Sequence, residues 1–402
     1  MSFEKIKAER ASAANFMVDE ITHICKTFGK RDPGSEGEKK AVEYMAEKIK
    51  EYGVKPEDIK IEPFDVYPAS FMGWIYISIS LFLLSMVAYF FMPILTLVLI
   101  VVGMVFMFAQ FIFYRRFIDK LFAKKTSYNL TAIKRCTGEC KRRLFYNGHP
   151  DAAFEWTMNY HFGGVGFIGH FVAAVVGILY LTAIAIAKII KPELEIANLL
   201  GYICLAFVPF WIGMYFLWNE KIVVDGANDN LTGCYMGISV LKALYENGIE
   251  LENTEVGLLI SGSEEAGLRG AKAWCEAHPT EYKDVETIIF AYDTIHEGRF
   301  LGVNTKDLNN FVKADPTAVS LFYDAAKQLN VPIQKCSVPL GATDSAAFNQ
   351  GGYKCVGITA MDHNLQSYYH TRLDSYDNLD PEGLANCFAV SVQALENFEN
   401  GK

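Results

Sequence analysis

The sequence predicts an α/β fold: a mixed central sheet flanked by helices, with two apolar helical hairpins inserted into it. Three observations carry that reading. Apolar, β-rich runs repeatedly end in a histidine or a carboxylate. Charged, helix-like segments separate those runs. Two long blocks, by contrast, carry almost no charge.

Taken in order, the segment 1–65 is charged and helix-like, as in DPGSEGEKKAVEYMAEKIKEYG, with no apolar core of the kind a signal peptide needs. The strand-like IKIEPFDV closes it. From Val66 to Tyr114 there is no charged residue, a length sufficient for two spans of about 20 residues each, and Pro93 marks the turn between them. NLTAIKR and RRLFYNG then read as strands. A second apolar block follows at 163–187 and 196–218, separated by the polar KIIKPELE. Buried core helices seldom run so far without a polar face, so four transmembrane helices are expected. The segments 1–66, 115–160 and 219–402 would form one catalytic domain, with 67–114 and 161–218 as the two hairpins. An even number of spans in each insert keeps the catalytic segments on one side.

Charge suggests which side. Arg115, Arg116, Lys120, Lys124, Lys125 and Lys221 flank the catalytic side, whereas the opposite side offers Lys188 and Lys191 beside Glu193 and Glu195. The positive-inside rule therefore predicts a multi-pass membrane protein with its catalytic domain in the cytoplasm. Nine scattered cysteines agree with a reducing compartment, and Cys136 and Cys140 read as reduced thiols beside a turn. The net charge of −9, from 37 basic and 46 acidic residues, gives no reason to expect a nucleic-acid partner.

The chemistry gathers at run ends. EVGLLISGSEEAGLRG places Glu264-Glu265 at the carboxyl end of an apolar strand, where open α/β sheets build their sites. His149-Pro150-Asp151 follows RRLFYNG, Asp229-Asn230 lies in GANDNLTG, Asp293 closes TIIFAYD, and His370 lies in YYHTRLDSYDN. Histidines and carboxylates suit hard or borderline divalent metals, and a bridged pair of ions needs one carboxylate that spans both. If Glu265 ligates, Glu264 is directed elsewhere, because consecutive side chains diverge, and it is then free to act as a general base.

These motifs resemble the di-zinc exopeptidase family of the secreted bacterial leucyl aminopeptidases, which also contains glutamate carboxypeptidase and glutaminyl cyclase. His149-x-Asp151, the Asn-Asp-Asn-x-Thr-Gly run at 228–233, Glu264-Glu265, Asp293, Gly341-Ala342-Thr343-Asp344 and Tyr369-His370-Thr371 stand in the family's order. The resemblance implies two zinc ions, other divalent metals being possible. Asp229 would bridge them, with His149 and Asp293 on one ion and Glu265 and His370 on the other. It implies Glu264 as general base, Asp151 as the carboxylate orienting His149, and Tyr369 as a phenol that hydrogen-bonds the developing oxyanion. Two departures stand out. The family keeps its counterparts of His149 and Asp229 about a dozen positions apart, whereas here the whole second apolar block lies between them. Ser345 replaces the histidine of a Gly-x-Ser-Asp-His pattern.

The resulting expectation is a membrane-anchored aminopeptidase acting on peptides at a bilayer surface. Three rivals remain: a carboxypeptidase, which would need a basic cluster for the substrate carboxylate; a one-zinc glutaminyl cyclase; and an inactive receptor or scaffold. His161 and His296 are candidate cleft residues or neighbours of the ligands. His170 lies within a span and is read as either functional or bonded to a neighbouring helix. Asp374 and Asp377 are expected to cap the final helix rather than to orient His370.

Overall fold

The computed structural model describes residues 2–401. Three helices open the chain, α1 (Phe3–Ala8), α2 (Arg10–Thr27) and α3 (Glu36–Tyr52). Ser35 caps α3 by accepting the Glu38 amide, and Ala41, Val42, Met45 and Ile49 recur at helical spacing on its buried face. Strand β1 (Ile59–Val66) then gives way to α4 (Ser70–Phe91) and α5 (Pro93–Met107), which continues as far as Ile112. The break falls at Met92, and Pro93 starts α5 at the first helical position, where a missing N–H costs nothing.

The chain returns in β2 (Lys125–Lys134), β3 (Arg142–Gly148) and the short β4 (Phe154–Glu155). It departs again in α6 (Thr157–Ile190), broken at Gly163 with φ 66°, then in α7 (Ala197–Cys204) and α8 (Val208–Gly213), which belong to one apolar rod ending at Phe216. Strand β5 (Asn219–Val223) pairs antiparallel with β4 and closes the stem of this second excursion. There follow α9 (Thr232–Glu246), β6 (Thr254–Ile260), α10 (Arg269–Ala277) and β7 (Glu286–Ile295). Next come β8 (Leu301–Asn304), the ribbon β9 (Lys306–Asp307) and β10 (Val312–Lys313), and α11 (Pro316–Gln328). The chain closes with β11 (Gln334–Cys336), α12 (Asp344–Gln350), β12 (Lys354–Ala360) and α13 (Pro381–Glu399).

Eight strands form one sheet in the order β1-β2-β6-β3-β7-β12-β8-β11. Its centre, β6-β3-β7-β12, is parallel, and antiparallel pairs flank it, so the sheet is mixed as expected. Every residue of β6 is buried, which is why TEVGLLI carries no polar alternation. Helices α2, α3, α9, α11 and α13 cover one face, and α10 and α12 cover the other.

Four helical rods, 70–91, 93–112, 157–190 and 197–216, are long and apolar enough to cross a membrane. They share a separate core containing Trp74, Phe82, Tyr89, Leu181 and Trp211, while Phe91, Val165 and Leu179 point outward. Some buried polar groups within it find partners: Ser78 Oγ donates to the Gly103 carbonyl at 2.8 Å and Trp211 Nε1 to the Ala174 carbonyl at 2.9 Å, whereas Trp74 Nε1 and His170 Nε2 are buried without one. His170 lies against the Phe210 ring of the neighbouring rod, 5.4 Å between centroids.

The end of β3 abuts the start of α9. A Cβ added at Gly148 would lie 2.4 Å from both the Gly233 carbonyl carbon and the Cys234 nitrogen, which are rigid backbone atoms. Gly148→Ala should therefore force this strand and helix apart and destabilise the protein by about 1–3 kcal/mol. A thermal melt of purified protein in detergent would register this as a lowered midpoint, and an unchanged midpoint would refute it.

Candidate metal centre

The parallel strands deliver the candidate residues to one edge. His149 follows β3 directly, Glu264 and Glu265 lie in the turn after β6, and Asp293 is near the end of β7. Asp229 sits in the turn that leads into α9, where the Asp229–Asn230 peptide is cis, and His370 occupies the loop between β12 and α13. These residues form two triplets, His149–Asp229–Asp293 and Asp229–Glu265–His370, with the candidate ligand atoms of each within 4.8 Å of one another. Asp229 is common to both: its Oδ1 lies 3.3 Å from His149 Nε2 and its Oδ2 3.2 Å from His370 Nε2. Glu265 Oε1 is 3.3 Å from His370 Nε2. Glu264 belongs to neither triplet, and its Oε2 is 3.9 Å from His149 Nε2.

The electrostatics are lopsided. Asp229, Glu264, Glu265 and Asp293 line one cavity, with no lysine or arginine among its lining residues. Burial raises the Glu264 pKa well above the usual carboxylate range; His149 opposes this, and Asp344, Glu265 and Asp293 reinforce it. Burial and then the charge of Asp229 do the same to Asp293. Burial opposes ionisation of Asp229 too, but hydrogen bonds to His149 and His370 outweigh it and hold that pKa low. The histidines respond in kind. Burial favours neutral His370, yet Glu265 and Asp229 push its pKa up to about 10. Meanwhile His149 Nε2 and Glu265 Oε1 are buried and face Asp229 Oδ1 and His370 Nε2 respectively, each at 3.3 Å. Buried imidazole nitrogens among uncompensated carboxylates fit divalent cations, whose charge would balance the cluster.

Three further buried carboxylates hold the loops in place. Asp151 Oδ1 and Oδ2 accept the backbone amides of Glu264 (3.1 Å) and Glu265 (3.0 Å), and its Oδ1 lies 3.4 Å from His149 Nδ1. Asp374 accepts the amides of Asn228 (2.8 Å) and Asp229 (3.2 Å); burial, then the Asp229 charge, lift its pKa to about 7. Helix capping therefore falls not to Asp374 or Asp377 but to Asp380, whose side chain accepts the Glu382 and Gly383 amides. Glu38 accepts the Ser263 amide at 2.6 Å and the Ser127 hydroxyl at 3.0 Å. Sequence reasoning missed it because Ser35-x-x-Glu38 reads as an ordinary helix cap. Arg31 was also missed; it donates to the carbonyls of Pro150 (2.9 Å) and Asp225 (2.5 Å), tying the His149 loop to the Asp229 loop. The clamped loops are strained: Ser263, Leu268 and His370 all have positive φ.

Each apolar excursion is bonded to one of these loops. At the base of α6, the Trp156 amide donates to the His370 carbonyl (2.7 Å) and Asn159 Nδ2 to the Tyr369 carbonyl (2.9 Å). Below α5, the Tyr114 carbonyl accepts from Lys272 Nζ (2.5 Å), and Asp119 accepts from Arg269 (2.8 Å), Ser70 (2.8 Å) and Gln110 (3.0 Å). Arg269 and Lys272 belong to the helix that follows Glu264-Glu265.

Tyr369 lines the cavity beside His370, the ring centroids 4.1 Å apart. His161 and His296 are absent from that lining; His296 instead lies edge-on to Tyr368 and 3.1 Å from Asn228 Oδ1. Besides His370, the histidine that lines it is His363. Asp344 accepts a bond from Ser261 at the end of β6. Away from the site, Cys136 and Cys140 are free thiols grouped with Glu255, which Arg135 and Arg143 already engage.

Residues 214–395 match the model of peptidase family M28, which supports a metallopeptidase hydrolase. The match takes in Asp229, Glu264, Glu265, Asp293 and His370 but not His149, which precedes the second excursion. No curated protein sequence matches the chain. Among solved structures, a zinc aminopeptidase from Bacillus subtilis, BSAP, is similar at 13% identity and TM-score 0.58, covering 96% of this chain and 95% of its own. The Legionella pneumophila LapA aminopeptidase is similar at 10% identity and TM-score 0.56, covering 99% and 75% respectively. A Fimbriiglobus ruber glutaminyl cyclase is similar at 12% identity and TM-score 0.56, covering 95% and 94%. At these identities the likeness concerns the fold.

Asp374 touches Asp229 only through backbone amides, so its loss should act on geometry. Asp374→Ala is expected to weaken metal binding about 10- to 100-fold, the usual cost of losing such a support. Competition against a chelator of known affinity measures this, and an unshifted competition curve would refute it.

Proposed function

We propose that this M28 peptidase domain belongs to a membrane-anchored aminopeptidase that works with two zinc ions, other divalent metals being able to substitute. One observation carries the reading: two ligand triplets share Asp229 while Glu264 stands outside both. Asp229 would then serve both ions, with His149 and Asp293 completing one position and Glu265 and His370 the other. Bound there, the ions would lower the pKa of a water and polarise the scissile carbonyl. Glu264 takes the proton from the attacking water and delivers it to the leaving amine. Burial, then Asp229, keeps the Tyr369 phenol protonated far above neutral pH, so it can donate a hydrogen bond to the developing oxyanion. Asp151 fixes His149 and the Glu264–Glu265 turn together.

The cavity favours an amine terminus over a carboxylate terminus. A carboxypeptidase needs a cation for the substrate's carboxylate, and the lining offers no lysine or arginine. Its carboxylates instead suit the ammonium group of a peptide's first residue. Solved glutaminyl cyclases share the fold, but the presence of both triplets, with His149 as well as Asp229 and Glu265, favours the two-metal peptidase over a one-metal cyclase. The four apolar rods are long enough to anchor the protein, and the basic residues from Arg115 to Lys125 favour a cytoplasmic catalytic domain.

Metal analysis of purified protein should find close to two divalent ions per chain, and Asp229→Ala should lose both. Glu264→Gln should lower kcat by at least about 100-fold with metal content near normal, whereas Glu265→Gln should lose metal as well. A Glu264 variant retaining most of the activity would refute the base assignment. Peptides with a free amine and an apolar first residue should be hydrolysed, and their N-acetylated forms should not. Cleavage of the acetylated peptides from the carboxyl end would favour the carboxypeptidase.

A further inference from the structure

The cavity that holds Glu264 and His370 does not end at the catalytic cluster. Its volume is about 380 Å³, within the roughly 300–1,000 Å³ of sites that take a drug-sized ligand. Beyond the cluster its wall is built from both apolar excursions. Met72 and Trp74 come from α4, Phe167, Ile168 and Phe171 from α6, and Trp218 from the end of the last rod. Phe171 stands two helical turns past the break at Gly163, so at about 1.5 Å per residue the wall climbs roughly 12 Å along α6. Ile168 lines the cavity and is also 45% exposed, so this wall reaches the outer surface of the rods. Titratable groups are confined to the catalytic end, apart from Glu220, His363 and Tyr114.

We propose that this cavity is the binding site for a bilayer-partitioned peptide, which enters from the membrane and lays the apolar residues behind its scissile bond between the two hairpins. The inference rests on the aminopeptidase reading and adds the substrate class. A water-soluble peptide would have to desolvate its polar side chains against walls that offer few partners. An apolar peptide already in the bilayer keeps an apolar environment as it moves between the rods. Its free amine is brought to the end of the cavity that carries Glu264, Glu265 and Asp293, whose oxygens can accept hydrogen bonds from it. The occupant that matches both ends is therefore an amphiphile: a free amine at its first residue and apolar for several residues after it.

The test uses the full chain in phosphatidylcholine vesicles and three substrates with the same leucyl first residue. One is leucyl anilide, one a peptide continuing in ten apolar residues, and one a peptide continuing in ten Ser, Gly and Gln residues. The apolar peptide should be cleaved with at least ten-fold higher kcat/KM than the polar one. Ile168→Trp and, on the facing wall, Met72→Trp each narrow the cavity. Either should lower the ratio of apolar-peptide to anilide kcat/KM at least five-fold; two sites keep the test decisive if one variant does not fold. If the anilide is cleaved but the two peptides are equal, or the ratio is unmoved, the inference fails and the aminopeptidase reading stands. If wild-type protein loaded with zinc cleaves none of the three, both fall.

Discussion

Crowding of like charge is the constraint around which this molecule is organised. Four carboxylates and two imidazoles converge on one cavity edge with no basic side chain in its lining. Such a cluster repels itself, and burial deepens the penalty. The fold answers with directed backbone amides rather than with lysines. Asp151, Asp374 and Glu38 each accept main-chain N–H groups from a loop that carries a candidate ligand or directly precedes one. Buried carboxylates thus act as fasteners for the loops, and the one nearby guanidinium, Arg31, directs its donors to carbonyls. The remaining negative charge is left for cations.

The same use of backbone bonds explains how the whole second excursion can stand between β4 and β5 without dismantling the site. An insertion is tolerated when its ends are close together. Here β4 and β5 pair as a two-stranded stem, and the Val224 amide adds a bond to the Ala153 carbonyl at 3.0 Å. His149 and Asp229, on opposite sides of that insertion in the chain, are thereby brought to the 3.3 Å separation of their side chains. The hairpins are also tied to the site. One is bonded to the loop of Tyr369 and His370, and the other, through Asp119 and Arg269, to the helix that follows Glu264 and Glu265. The positive φ of Ser263 and His370 shows where backbone strain is held in check by these contacts.

Much of the fold was legible in the chain because its signals are local. The uncharged stretch from Val66 to Tyr114, the break at Pro93, and carboxylates at the ends of apolar strands are properties of adjacent residues. The supports were not legible. Glu38 sits in a pattern that signals a helix cap, and Ser35 does cap α3, yet the Glu38 side chain crosses to Ser263. Asp374 stands a short way before α13 and was expected to cap it, but Asp380 performs that role. His363, with no flanking motif, lines the cavity, while the more conspicuous His161 and His296 do not.

The sequence by itself determined the α/β class, the two inserted apolar hairpins and the residue types able to hold a divalent metal, because hydropathy period and strand-end chemistry are written in short windows. Only the tertiary structure decided which atoms face one another: that Asp229 joins two triplets, that Glu264 stands outside both, and that the cavity runs on between the hairpins. Those facts depend on side chains far apart in the chain, and on backbone amides whose direction is set by turns with positive φ. No local pattern encodes either, since each is fixed only when the sheet brings its strand ends into register.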